Sequence, residues 1–198
     1  MADLVAATAG WEAGSLSKQA EEWVLATEAF EADRLQGFVF STLERIGGTP
    51  ALVIGMASVA RCAEREAVVR ALMHENYHKA LMAFPDEDVL VATRAVDGGS
   101  FTALAGLEDV RPWPGVRANG EERAWGRRLG KRYGASAFDD RAMIGQGDGD
   151  VFVFDHEADD PHPASAAVDQ IDLGDGSYVI AWGWALAEFL EGFEQPRS

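Results

Sequence analysis

The run His74-Glu75-Asn76-Tyr77-His78 carries the sharpest chemical signal in the chain. Two histidines four positions apart stand one turn apart on the same side of a helix, so both imidazoles can grip one zinc ion. The intervening glutamate would then act as general base on a metal-bound water, and the chemistry would be hydrolysis. This makes Glu75 a candidate catalytic residue and His74 and His78 candidate zinc ligands. The opposing reading is two histidines at the margin of a packed helix face, satisfied by water or by a neighbour.

For the pair to act, its segment must be helical. Residues 58–83 read as one long helix, with Val59, Cys62, Val69, Leu72, Met73, Ala80 and Phe84 on one broad side and Pro85 as the stop. On that helix the histidines turn away from the apolar stripe, toward Ala67, Ala71 and Leu81. Arg70 lies one turn before His74, where a guanidinium opposes a divalent cation. By its letters the motif resembles the zincin metalloproteases, which implies the ligand and base roles just named. No His-x-x-Gly-x-x-His continuation follows; His156 and His162 could serve as a third ligand, but nothing in their spacing demands it. Cys62, on the apolar side, reads as core rather than as a nucleophile.

Other elements follow from periodicity and punctuation. Residues 15–35 read as a helix. Residues 37–46 and 51–56 read as a hairpin over Gly47-Gly48. Residues 88–95 form a strand, and 101–107 a short strand or helix. The loop 111–120, with two prolines and two glycines, is the candidate internal boundary of an otherwise single domain over 1–198. A helix covers 121–132. Gly145–Asp150 reads as a turn, because it lacks the alternating oxygens and closing Glu of a calcium loop. Val151–Asp155 reads as a strand, 168–173 and 177–181 as a hairpin around Gly174-Asp175-Gly176, and 182–193 as a closing helix. Hairpins mixed with helices, without strict strand–helix alternation, predict an α+β fold with a mainly antiparallel sheet.

Composition bounds the function. The chain has 198 residues, 47% hydrophobic and 25% charged, which suits a globular domain and excludes disorder. Its 33 acidic against 17 basic side chains give a net charge of −16, which argues against nucleic-acid binding. The first ten residues hold an acid and no Lys or Arg, unlike a signal peptide, and no window is apolar enough to span a bilayer. A cytoplasmic protein is the expectation.

The charge is segregated. Phe138–Ser198 holds fourteen acids and two bases, just after a basic cluster of Arg117, Arg123, Arg127, Arg128, Lys131 and Arg132. An acidic face of this kind steers and selects a basic protein partner. Asp155, Glu157, Asp159, Asp160, Asp169 and Asp172 are the candidate partner-binding residues.

The same stretch carries a second likeness. Phe152 and Phe154 alternate along a strand that ends in Asp155-His156-Glu157, and the helix Ala187–Phe193 carries Phe189-Leu190. Over about 45 residues this resembles the end of SUKH-superfamily domains, which include yeast cell-wall regulators and bacterial immunity proteins. The resemblance implies an α+β fold and a non-enzymatic role, the binding and blocking of a cognate toxin. Basic nuclease toxins would suit an acidic partner.

Overall fold

The computed structural model describes residues 1–4, 13–147, 161–169, 171–174 and 176–193. Helix α1 (Ala13–Glu22) leads into strands β1 (Leu25–Glu31), β2 (Arg34–Ile46) and β3 (Thr49–Val59). Helix α2 (Arg65–Ala83) connects to β4 (Val89–Ala95), a 3-10 turn over Gly98–Leu104 and β5 (Glu108–Arg111). Helix α3 (Gly120–Arg132) precedes β6 (Ala137–Asp139) and β7 (Ile144–Gln146). A 3-10 turn at Pro163–Ser165, α4 (Ala166–Asp169), β8 (Ser177–Ala185) and α5 (Ala187–Glu191) complete the order.

The architecture is α+β, as the pattern of hairpins and helices predicts. One mixed, mostly antiparallel sheet of eight strands runs β1-β2-β3-β4-β8-β7-β6, with β5 also on β8. Only β3 and β4 pair in parallel, through the crossover that contains α2. The β2–β3 hairpin turns at Gly47-Gly48, both at positive φ, which glycine adopts without steric penalty. Strand β8 reaches the centre of the sheet. It pairs with β4 along one edge, and with β7 and then β5 along the other.

Strand alternation assigns two faces. On one, Gly37 and Ser41 of β2 lie under α2. On the other, Trp182 and Trp184 stand across from Ala92 and Leu90, and Trp184 meets Trp125 of α3 edge to face at 5.9 Å. Helix α3 begins with a capping box. Asn119 Oδ1 accepts from the Glu121 and Glu122 amides, and Glu122 accepts from the Asn119 amide.

Three helix boundaries differ from the sequence reading. Helix α1 ends at Glu22, and Leu25–Glu31 is a strand rather than the second half of a helix. Thr27 is buried while Ala26 and Glu28 are exposed, so period two wins over the three- and four-residue spacings that suggested a helix. Residues 58 and 59 belong to β3, and α2 begins only at Arg65, which places half-buried Cys62 in the intervening turn rather than in the core. The largest correction is at 182–193, where the closing helix shrinks to α5. Tyr178-Val-Ile-Ala-Trp-Gly-Trp184 is β-branched and aromatic, and it continues β8 to Ala185. Its residues apart from half-buried Trp184 are buried, on both faces, so no polar alternation marks them.

The 168–173 hairpin arm is also absent. Residues 166–169 are helical, and 171–174 pair with no strand. Gly145 and Gln146 lie in β7 rather than in a turn. Strand Val151–Asp155 and the triplet Asp155-His156-Glu157 fall outside the described residues.

Candidate functional site

Helix α2 shows what its His-Glu-x-x-His run does. Its buried residues are Val69, Leu72, Met73, Asn76, Tyr77 and Ala80, so the two middle positions of the motif point into the protein. Asn76 is fully buried. Its Oδ1 accepts from Ser41 Oγ at 2.8 Å, and its Nδ2 donates to the Leu72 carbonyl at 2.8 Å. Tyr77 donates its hydroxyl to the Ala103 carbonyl at 2.8 Å, and burial pushes its phenol well above the ordinary range. These two side chains fix the rotation of α2 on the sheet.

The histidines therefore flank the packed face and are half-buried. His78 Nδ1 lies 3.0 Å from the Phe193 carbonyl, a distance at which the imidazole N–H donates. The His74 ring meets the Phe193 ring edge-on at 4.9 Å. Glu75 points outward and forms an i,i+4 ion pair with Lys79 at 3.5 Å, while Lys79 Nζ also donates to Thr27 Oγ1. The structure brings His74 and His78 together around the end of the chain's last helical segment. Among the described residues, no group of three or more His, Cys, Asp or Glu is placed to hold a metal ion. Among the described residues the donor set is thus two histidines with no third ligand beside them.

A cleft of about 810 Å³ runs along this side of α2. It is lined by Ala67, Ala71, Thr102, Phe189 and Phe193, together with Arg70, His74 and Glu75. Tyr77, Phe189 and Phe193 pack mutually with centroids 5.1–5.3 Å apart. The lining is largely apolar, and Glu75, the carboxylate among the described lining residues, is paired with Lys79. Chemically, it suits contact better than proton transfer.

Of the acidic candidates, Asp172 is exposed and Asp169 ends α4. Asp155, Glu157, Asp159 and Asp160 lie outside the described residues. Three of the six residues of the basic cluster are engaged within the molecule. Arg132 Nε donates to Glu44 at 2.5 Å and its guanidinium covers the Trp23 ring at 4.6 Å. Arg127 pairs with Asp140, and Arg128 stacks over Trp125 at 4.8 Å. Elsewhere, Arg45 pairs with Glu87 and Arg111 with Glu122.

Sequence reasoning missed Arg94. It is the one charged residue in Val89–Ala95. Nη2 donates to the Gly55 carbonyl at 2.6 Å, and the guanidinium lies over the rings of Tyr133 and Tyr178 at 5.3 and 5.5 Å. A lone arginine in an otherwise apolar strand was the available signal.

No protein-family model matches the chain, and no curated protein matches it. Among the described residues, no helix is long and apolar enough to cross a membrane.

Proposed function

We propose that this chain is a non-catalytic, acidic protein-binding domain of the immunity-protein kind, resembling the SUKH superfamily at its C-terminal end, and that it neutralises a basic toxin domain. The observation that carries this reading is the division of charge. Arg45, Arg111, Arg127 and Arg132 are each paired with a carboxylate of the same molecule, while fourteen of the 33 acids fall in the last 61 residues beside two bases. Each of these pairs cancels one charge of either sign, Asp140 of the C-terminal acids included, so the excess of sixteen carboxylates is left to set a negative outward field. Such a field raises association rates roughly ten- to thousandfold for a partner of opposite sign. The engagement of Glu75 by Lys79 and of His78 by the Phe193 carbonyl favours this reading over a zinc hydrolase.

The test reverses Asp155, Glu157, Asp159, Asp160, Asp169 and Asp172 to lysine. Association rates with a panel of basic toxin domains are then measured at low and high salt. The native chain is expected to associate fast at low salt and to slow steeply as salt rises. The reversed chain, checked for fold by circular dichroism, should associate slowly with a flat salt dependence. Equal rates and equal salt slopes for the two chains would discard the acidic face as the interface.

A further inference from the structure

The sheet ends on β1, and among the described residues no strand pairs with its outer edge. An edge strand of seven residues presents a row of main-chain donors and acceptors, ready for another strand. Edges of soluble proteins are commonly blunted by lysine, proline or a bulge; Leu25–Glu31 contains neither lysine nor proline, and its one register shift, between Ala29 and Phe30, leaves Leu25–Ala29 in regular pairing. Two large apolar side chains frame the edge instead: Val24, 79% exposed, and Phe30, 57% exposed. From Glu21 to Arg34 the chain carries five carboxylates (Glu21, Glu22, Glu28, Glu31 and Asp33) and one cation, Arg34. All six are exposed.

We propose that β1 is a docking edge for an extended basic segment of another protein, which adds to the sheet as a further strand. Main-chain pairing along Leu25–Glu31 would supply the affinity, and alternate side chains the specificity. Thr27 faces inward, toward Lys79 of α2, so it is unavailable to a partner. Ala26 and Glu28 lie across from Phe40 and Phe38 on the opposite face. A lysine or arginine of the incoming strand sits beside Glu28, a second meets Glu31, and an apolar side chain covers Phe30. Charge excludes a second copy of this chain from the role, because pairing β1 with β1 sets carboxylates against carboxylates. The edge lies at the opposite end of the sheet from β6, in which the C-terminal acidic stretch begins at Phe138. It shares with the preceding proposal only the sign of the partner's charge.

The experiment adds a peptide of alternating lysine and valine, matched in length to β1, to the full chain. Amide hydrogen exchange is read residue by residue. A control peptide carries proline in place of its central valine, which keeps the charge and removes a main-chain donor. The expected result is slowed exchange confined to β1, with the proline peptide binding about tenfold more weakly. The variant Glu28→Lys with Glu31→Lys should lose the protection. If that variant does not fold, Phe30→Ser at its exposed site should weaken peptide binding instead. Equal binding of the two peptides, protection elsewhere in the chain, or no protection at β1 would each overturn the proposal. Because the C-terminal acids remain intact throughout, failure at β1 leaves the binding of toxin domains to be judged separately by their reversal.

Discussion

Gly55 lies directly beneath the indole of Trp23: a Cβ added to the glycine would stand 1.8 Å from Trp23 Cε2 and 2.1 Å from Cδ2. Gly55 is the extra residue of a bulge, since Phe40 pairs with Met56 and Ser41 with Ile54. The indole is held in place on several sides. Its Nε1 donates to Gln19 Oε1 at 3.0 Å, Arg132 covers it, and Tyr133 packs at 6.2 Å. Gly55→Ala should therefore destabilise the protein by about 1–3 kcal/mol or more, the cost of overpacking a filled core. Urea unfolding measures it. The double variant with Trp23→Leu should cost less than the sum of the single changes, because the ring that clashes is gone. Strict additivity would show that the two residues do not meet.

The Ser41–Asn76 bond predicts a second non-additive pair. Both side chains are fully buried, and each satisfies the other. Asn76→Ala leaves the Ser41 hydroxyl without its acceptor in the core and should cost about 1–3 kcal/mol. Adding Ser41→Ala removes the stranded group and should recover part of that loss. If the double variant is as unstable as the two losses added together, the bond contributes nothing beyond packing.

The histidine pair leads to a prediction about metal. Protein purified without a metal-affinity tag is expected to contain much less than one zinc per chain, and His74→Ala should leave that content unchanged. Glu75→Gln breaks only a partly exposed ion pair with Lys79, so its effect on stability should stay within about 0.5 kcal/mol. One zinc per chain, lost on His74→Ala, would restore hydrolysis as the leading chemistry.

Strands β2, β3 and β4 were legible because their signals are local, whereas β1 was hidden by helix-like spacings. Gly47-Gly48 announces the β2–β3 turn, and Pro85 bounds α2. Strand β8 was legible only over 177–181, and its second half, 182–185, reads as helix from the sequence. Its apolar run is long enough for either element, and only its position between β4 on one side and β7 and β5 on the other shows why it is extended. The candidate site divides in the same way. Spacing correctly places His74 and His78 one turn apart on a helix. It cannot show that Lys79 takes Glu75, or that a carbonyl 115 residues away takes His78. Arg94 escaped because its partners, the Gly55 carbonyl and two tyrosine rings, come from distant strands and from the end of α3.

His162 carries the pH prediction. It caps the 3-10 turn Pro163–Ser165, with Nδ1 accepting the Ala164 amide at 3.1 Å. Its ring stacks on Phe101 at 6.3 Å and meets Trp113 edge-on at 6.2 Å. Burial against these rings lowers its pKa below the ordinary histidine value of 6.5. Protonation would also convert the accepting nitrogen into a donor and break the cap. The folded state thus binds the proton less readily than the unfolded chain, so the histidine's contribution is full above pH 6.5 and is lost as pH falls through the lower folded value. The urea midpoint should accordingly decline as pH drops from about 7 toward 5.5, ahead of the range in which most carboxylates titrate. His162→Asn keeps an acceptor for the Ala164 amide and cannot titrate, so its midpoint should be flatter across that window. Parallel curves for the two proteins would assign the decline to other groups and leave His162 with a packing role alone.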